Sequence, residues 1–288
     1  MKHLVTHIRP HLDDICGIWM FKKYHPELKN AEVNFVPVDI NGGIPFNNEP
    51  VDSNPDVIHV GVCRGKFDEH GPENAKSKEV ESASTLVFKY LDSLKMLPED
   101  ETHKGGLKRV VDFVLALDTG AIRGKELFHY TIGAVIQAMN LREDKDDIEL
   151  SYEMYHLGCK MLDGLLLSEE DHVQLLKDWE KRKDFMWGKF KGAALTTQSK
   201  RVDDFAYSQG YDFVVYIDPK YGFRKIRAGR ANDVSFEKVH EKLQVIDPEA
   251  EWYLHQSKKL LICGHEIAPD TALSKLSLEE LMKIIQES

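Results

Sequence analysis

The stretch LVTHIRPHLDDICG, residues 4–17, decides the fold of the N-terminal half of this chain. A short apolar run of β-like composition ends at His7, and Pro10 then turns the chain. Asp13 stands at the start of an apolar, helix-like run. A strand followed directly by a helix therefore carries three polar donors, His7, His11 and Asp13, at its turn. Taken alone, this pattern is equally typical of a polar loop with an aspartate cap.

Three further polar segments share the placement of the first, after or within apolar runs. They are His59 in the run 57–62, the triplet Asp68, Glu69 and His70, and Asp118 after the run 114–117. Side chains at strand ends converge even when they are far apart in sequence, and divalent metals need such convergent N and O donors. Each segment alone also fits a simpler interpretation: a buried histidine, a charged turn or a helix cap.

The order of elements predicts an α/β fold with a mainly parallel sheet flanked by helices. Strands are expected at 4–7, 33–38 and 57–62, and helices at 15–24, 79–95, 124–141 and 148–165. Residues 107–117 fit a helix, a strand or one after the other, and we expect a helix. Gly17 is expected to let the first helix pack closely on a strand. Ligands collect at the carboxyl ends of the strands in such sheets, which is where His7, Asp13 and His59 fall.

The C-terminal part is expected to form a smaller α+β domain. Residues 1–167 are interpreted as the catalytic domain, 168–191 as a connecting helix and 192–288 as a substrate-binding domain. Strands are expected at 193–197, 212–218, 223–228 and 259–263, and helices at 235–243 and 276–287.

Composition narrows the function classes. The net charge of −10 argues against wide contact with nucleic-acid backbone, which relies on Lys and Arg. Four widely spaced cysteines without a CxxC pair argue against a disulfide framework and against a structural zinc site of the usual kind. The chain shows no apolar signal segment and no run long enough to span a membrane, so we expect a cytoplasmic protein that does not bind membranes.

The polar segments, taken in order, resemble the motifs of the DHH phosphoesterase superfamily. The run from His7 to Gly17 resembles its first motif, H-x-x-P-D-x-D. His59 lies where the second motif has Asp, and Asp68-Glu69-His70 lies where the Asp-His-His triplet stands. The segment 117–120 resembles the fourth motif. The resemblance implies a phosphoesterase domain followed by the associated substrate-binding domain.

The chain departs from the family pattern at three positions. His11 and His59 stand in place of aspartates, and Glu69 stands in place of a histidine. Each replacement is itself a competent ligand, which favours a working metal site with altered preference. The resemblance implies the metal ligands His7, His11, Asp13, His59, Glu69 and Asp118. It also implies Mn²⁺ as the metal, while the additional imidazole makes Fe or Zn more credible than in most members.

Further roles follow from the same resemblance. His70 and Asp68 are the implied catalytic residues, with His70 contacting the phosphate or protonating the leaving group. The segment 226–230 resembles a substrate-binding strand end, and 263–265 resembles the Gly-Gly-His loop with one glycine missing. Arg227, Arg230 and His265 are therefore expected to bind an anionic substrate.

The leading hypothesis is a metal-dependent phosphoesterase or phosphatase. Its substrate would be a nucleotide, a short oligonucleotide or a small phosphate ester. One alternative is a regulatory protein that binds a nucleotide or a metal on a degenerate site. Another is a metal-dependent amide or C–N hydrolase that shares only the ligand pattern. The sequence leaves open whether the protein forms a homodimer.

Overall fold

The computed structural model describes residues 1–39, 42–72, 74, 79–124 and 127–288. The chain divides into two compact units, Met1–Glu170 and Asp171–Ser288. Within the described residues, none of the helices combines the length and apolarity that crossing a membrane requires.

The N-terminal unit is built on a parallel sheet of three strands in the order β2-β1-β3. Its elements are β1 (His3–His7), α1 (Leu12–Tyr24), β2 (Glu32–Val36), β3 (Val57–His59), α2 (Ala83–Ser93), α3 (Glu101–Asp118), α4 (Ile132–Ala138) and the first part of α5 (Asp147–Trp179). The predicted α/β class is confirmed. Of the helix expected at 124–141, residues 125 and 126 lie outside the described residues. The rest of that segment contains α4 with short 3-10 turns on either side.

Helices cover one face of this sheet. Leu4 of β1 is fully buried in a core that includes Ile15, Leu107 and Leu150 from α1, α3 and α5. A Cβ on Gly17 would lie 2.7 Å from Cγ1 of Val60, so the glycine lets α1 pack closely against the residue that follows β3. The loop residue Phe46 packs on the opposite face of the sheet.

The C-terminal unit contains a mixed sheet of six strands in the order β4-β5-β6-β7-β9-β8. Its elements are β4 (Lys183–Trp187), β5 (Phe190–Thr196), α6 (Val202–Ser208), β6 (Phe213–Ile217), β7 (Arg224–Ala228), α7 (Glu237–Ile246), β8 (Trp252–Leu254), β9 (Leu260–Cys263) and α8 (Leu278–Gln286). Strands β5 and β6 are parallel and the other neighbours are antiparallel. The predicted smaller α+β unit is therefore present.

The segment 168–191 differs from the single connecting helix that the sequence suggests. Residues up to Trp179 belong to α5, which starts much earlier, and β4 follows within the same segment. The sequence between Leu165 and Trp179 contains neither Gly nor Pro, so nothing ends the helix at Ser168. Buried residues of α5 join the N-terminal core at Leu162 and a second core at Leu175.

Candidate metal centre

A pocket of about 590 Å³ lies at the carboxyl end of β1. Imidazole, carboxylate and guanidinium groups dominate its lining, namely His7, Arg9, His11, Asp13, Asp14, Asp39, Arg64, Asp68, Glu69, His70 and Asp118. The pocket therefore collects residues from three of the four polar segments. Its six carboxylates outnumber its two guanidinium groups, so a cation is the complementary ligand.

The first group of donors is His7, His11 and Asp14. One ligand atom from each lies within 4.8 Å of the others. His7 ends β1, and His11 caps the N-terminus of α1. Asp14 Oδ2 lies 2.9 Å from His7 Nε2 and accepts the backbone N–H of His11 at 2.9 Å. Asp14 is almost fully buried. Its carboxylate holds both the start of α1 and the ring of His7 in place.

Gly61 makes room for this carboxylate. The glycine follows β3 with a φ of 63°, in the left-handed region that favours glycine. A Cβ at this position would lie 1.7 Å from Asp14 Oδ1 and 2.9 Å from Asp14 Cγ. Any other residue would displace Asp14, and with it the orientation of His7.

The electrostatics of the pocket act strongly on His7. Burial lowers its pKa, but the charge and hydrogen bond of Asp14, the carbonyl of Ile8 and the charge of Asp68 raise it to about 9. The protonated imidazole is thus the favoured form near neutral pH in the absence of a metal. A cation at this position would take over the role of the proton.

The second group of donors is Asp68, Glu69 and His70, again with ligand atoms within 4.8 Å of one another. Asp68 accepts the N–H of Arg64 at 2.7 Å and the N–H of His70 at 2.8 Å, which orders the loop. His70 Nδ1 lies 3.2 Å from Glu69 Oε1, and its side chain is 78% exposed. The exposed ring is therefore available to a ligand in the pocket.

Glu69 shows that the second group suits a cation. Its Oε2 is buried and has no hydrogen-bond partner among the described residues. Burial is the main reason that its pKa is raised. A buried carboxylate oxygen without a donor is costly, and a bound cation would satisfy it.

Asp13 lines the pocket, but its carboxylate already accepts hydrogen bonds from two serine hydroxyls. Its Oδ1 accepts the hydroxyls of Ser82, at 2.6 Å, and of Ser84. Burial and the charge of Asp14 raise its pKa to about 7, against the lowering effect of the serine hydrogen bonds. The expected ligand role of Asp13 therefore competes with these two hydroxyls.

Asp118 is the last residue of α3 and lines the same pocket. Burial, followed by the charge of Asp14, raises its pKa. His11 and His70 act in the opposite direction on its pKa. The structure thus brings together His7, His11, Asp13, Glu69 and Asp118 of the six implied ligands.

His59 is the exception. It pairs with Val5 in the sheet. Val5 precedes His7 by two residues, so His59 lies about 7 Å back along the strand direction from His7. The residue is 2% exposed, and its Nε2 faces the N–H of Phe46 at 3.5 Å. Burial lowers its pKa. The expectation that His59 joins the ligands is corrected by this register.

Two carboxylates of the pocket are not among the residues that the sequence predicts, Asp14 and Asp39. Asp14 lies in the segment 4–17, but the family pattern places the metal ligand at its neighbour Asp13. Asp39 follows the predicted strand 33–38 directly. Because ligands collect at the carboxyl ends of parallel strands, the position of Asp39 directly after a predicted strand is the sequence feature that identifies it.

The implied substrate-binding residues occupy two places in the C-terminal unit. Arg227 and Arg230 line adjoining cavities at the end of β7, where Arg227 contacts Asp203 at 2.6 Å. Arg227 pairs with Leu260 at the start of β9, whereas His265 follows the end of that strand. About 10 Å of strand separates the two ends, so His265 does not share these cavities with the arginines.

No protein-family model and no curated protein matches the sequence. Among solved structures, the chain is similar to RecJ from Thermus thermophilus in complex with Mg²⁺, with 13% identity over 99% of this chain and a TM-score of 0.31. It spans 49% of RecJ, or about half its length. It is also similar to the DHH domain of a protein described as a member of a family of ribosomal proteins. The identity is 13%, the match covers 99% of this chain and 86% of the other, and the TM-score is 0.32. Both TM-scores are low.

Proposed function

We propose that this protein is a metal-dependent hydrolase of phosphate esters. The expected substrates are a nucleotide, a short oligonucleotide or a small phosphate ester. The single observation that carries the proposal is that His7, His11 and Asp14 line one pocket with Asp68, Glu69 and His70. Two neighbouring donor groups are what two-metal phosphoester hydrolysis requires.

The donor set favours a divalent transition metal. Three imidazoles and several carboxylates suit Mn, Fe or Zn better than Ca, which prefers oxygen ligands alone. We expect Mn²⁺ by default, held by His7, His11 and Asp14 on one side and by Asp68 and Glu69 on the other. When bound, such an ion supplies a Lewis acid and a water of lowered pKa.

The remaining residues fit the handling of a phosphate ester. His70 is exposed beside the carboxylates of Asp68 and Glu69, so it is suited to protonating the leaving oxygen. Arg64 brings a positive charge to the same pocket. Without a cation, the six carboxylates of the pocket would repel a phosphate, which is why the proposed activity depends on metal.

One observation favours a second candidate, a regulatory protein that binds a metal or a nucleotide without turnover. The carboxylate of Asp13 is engaged by Ser82 and Ser84, and the ring of His59 lies beside Phe46. Two of the six ligands implied by the family pattern are therefore compromised. Reduced metal binding with loss of turnover would follow from this arrangement.

Hydrolysis of a panel of esters, measured as inorganic phosphate from the monoesters and as nucleoside from the dinucleotide, separates the two candidates. The panel contains nucleoside monophosphates, a dinucleotide and glycerol phosphate, each assayed with Mn²⁺ and with a chelator. We expect Mn-dependent release that His70→Ala lowers by about 100-fold, the range typical of a lost general acid. His129→Ala, which changes an exposed histidine outside the pocket, serves as the control. Metal binding without turnover on every ester would favour the regulatory candidate.

A further inference from the structure

A second, smaller cavity of about 160 Å³ adjoins the pocket of the candidate metal centre. The two cavities share His11, Asp13 and Asp118 in their linings. The rest of the smaller cavity is formed by residues of α1, α3, α4 and the segment before α4, among them Leu12, Leu117, Arg123, Phe128, Ala134 and Gln137. We call this cavity the side chamber. All of its lining residues belong to the N-terminal unit.

The wall that α4 contributes to the side chamber is held in place. A Cβ on Gly133 would lie 3.2 Å from Cδ1 of Leu117, so the glycine lets α4 approach the end of α3. Thr131 Oγ1 donates to the carbonyl of Phe128 at 2.8 Å and accepts the N–H of Ala134 at 3.4 Å. These two bonds fix the two lining residues relative to each other. A cavity that is formed in advance loses less entropy when a ligand binds.

Arg123 belongs to the side chamber and not to the metal pocket. Gly120, two residues after α3, has a φ of 74°, and its carbonyl accepts the N–H of Arg123 at 3.0 Å. A Cβ on Gly120 would lie 3.1 Å from Cδ of Arg123, so the glycine lets the arginine pack along this turn. The metal pocket is lined by Arg64 instead. A phosphate in the metal pocket therefore meets Arg64, while Arg123 faces a different part of the ligand.

The lining of the side chamber suits a small, neutral and hydroxylated group. Leu12, Leu117 and Phe128 offer apolar surface to a carbon skeleton. The guanidinium of Arg123 and the amide of Gln137 offer hydrogen-bond donors to hydroxyl oxygens. The carboxylates at the shared edge disfavour a further anion. A cavity of about 150 Å³ holds a molecule of about six heavy atoms, such as benzene, and glycerol is of this size.

We propose that the side chamber binds the alcohol part of a short polyol phosphate. The proposal rests on the proposed function and narrows its substrates to small phosphate esters, because a nucleoside is much larger than the chamber. The oxygen of water bonds to phosphorus and the P–O bond to the alcohol breaks. The leaving oxygen takes its proton from His70, and the products are the polyol and inorganic phosphate.

Relative rates on two matched esters test where the alcohol lies. Glycerol 3-phosphate and methyl phosphate are compared in the presence of Mn²⁺, because a methyl group is too small to fill the side chamber. We expect Ala134→Leu to lower kcat/KM for glycerol 3-phosphate relative to methyl phosphate by about tenfold, since the larger side chain occupies the chamber. Ala138→Leu, at an exposed alanine of the same helix outside the lining, leaves this ratio unchanged.

A variant that enlarges the side chamber should act in the opposite direction. We expect Phe128→Ala to raise kcat/KM for sorbitol 6-phosphate relative to glycerol 3-phosphate by about tenfold, because the longer alcohol gains space. A damaged fold lowers both rates and does not produce this gain.

Binding of glycerol itself tests the side chamber without catalysis. Saturation-transfer NMR of the full chain with glycerol is recorded in the presence of a chelator. We expect transfer to glycerol that Ala134→Leu reduces by about tenfold and that Ala138→Leu retains.

The outcomes separate the two proposals. Absence of transfer to glycerol, or equal transfer in Ala134→Leu and Ala138→Leu, would overturn the side chamber as a polyol site. Hydrolysis of both esters with a ratio that neither Ala134→Leu nor Phe128→Ala changes would also overturn it, and would retain the phosphoesterase. A chain that binds glycerol in the chamber but hydrolyses no ester would retain the polyol site and refute the phosphoesterase.

Discussion

Asp14 Oδ2 lies 2.9 Å from His7 Nε2, and this contact organises the candidate metal centre. The same oxygen accepts the N–H of His11, so the carboxylate connects the end of β1 to the start of α1. A carboxylate that orients an imidazole also raises its basicity as a ligand. Asp14 is thus both a candidate ligand and the support of a second one.

Replacing this carboxylate should weaken metal binding. We expect Asp14→Asn to raise the Kd for Mn²⁺ by about 10- to 100-fold, as measured by calorimetric titration. Asp112→Asn, which removes an exposed carboxylate paired with Lys108, should leave the Kd unchanged. Equal metal affinity in both variants would show that Asp14 plays no part in the centre.

Gly61 has no room for a side chain beside Asp14. Gly61→Ala forces a Cβ against Asp14 in a left-handed conformation, so we expect a loss of about 2–3 kcal/mol in the free energy of unfolding and weaker metal binding. Gly124→Ala is the matched control, because its φ is 77° and nothing lies within 4 Å of the added Cβ. It should lose only about 1 kcal/mol, the cost of the backbone conformation. Urea unfolding measures both, and similar losses would refute the steric argument.

His7 should titrate unusually high in the metal-free protein. Its folded-state pKa of about 9 exceeds the ordinary value of 6.5, so the protonated form stabilises the fold. This stabilisation is fully present below about pH 6.5 and is lost as the pH rises through about 9. NMR titration of the ring should show this pKa, and Asp14→Asn should lower it. A titration near 6.5 in the unaltered chain would contradict the assigned contact.

The same proton competes with the metal. Because a protonated imidazole cannot bind a cation, the affinity for Mn²⁺ should rise with pH up to about 9. The dependence should be shallower in His7→Ala. Metal titrations at several pH values measure it, and a pH-independent affinity in the unaltered chain would exclude His7 from the ligands.

The serine pair around Asp13 should be a structural element. Ser84→Ala leaves the buried carboxylate of Asp13 short of one donor, so we expect a loss of about 1–3 kcal/mol in unfolding free energy. Since the pKa of Asp13 is about 7, the loss should be larger at about pH 8 than at about pH 5. Ser93→Ala, at an exposed hydroxyl, should change little. An equal loss at both pH values would mean that Asp13 does not ionise in this range.

The sequence predicts the elements well where apolar runs are clear, as in α1 and β6. For 107–117 it leaves helix and strand open, and the helix found there starts six residues earlier, at Glu101. It also predicts that His7, His11, Glu69 and Asp118 come together. It does not distinguish the role of Asp13 from that of Asp14, because neighbouring residues on a helix differ by about 100° in direction. Only the packing of α1 decides that Asp14 joins His7 and His11 while Asp13 meets Ser82 and Ser84.

Register explains two other departures. His59 pairs with Val5 rather than with His7, which buries its ring beside the loop at Phe46. The antiparallel pairing of β7 with β9 puts Arg230 and His265 at opposite ends of the strand pair. Strand register depends on contacts between segments far apart in the chain, so local patterns do not reveal it.

The measurement that most directly tests the metal centre is elemental analysis of the purified chain beside the double variant His11→Ala/Asp14→Asn. The proposed centre predicts about one or two equivalents of Mn, Fe or Zn per chain in the unaltered protein. It predicts that the double variant, folded by circular dichroism, loses most of this metal. A folded chain without bound metal after incubation with each ion, or a double variant with full metal content, would contradict the account.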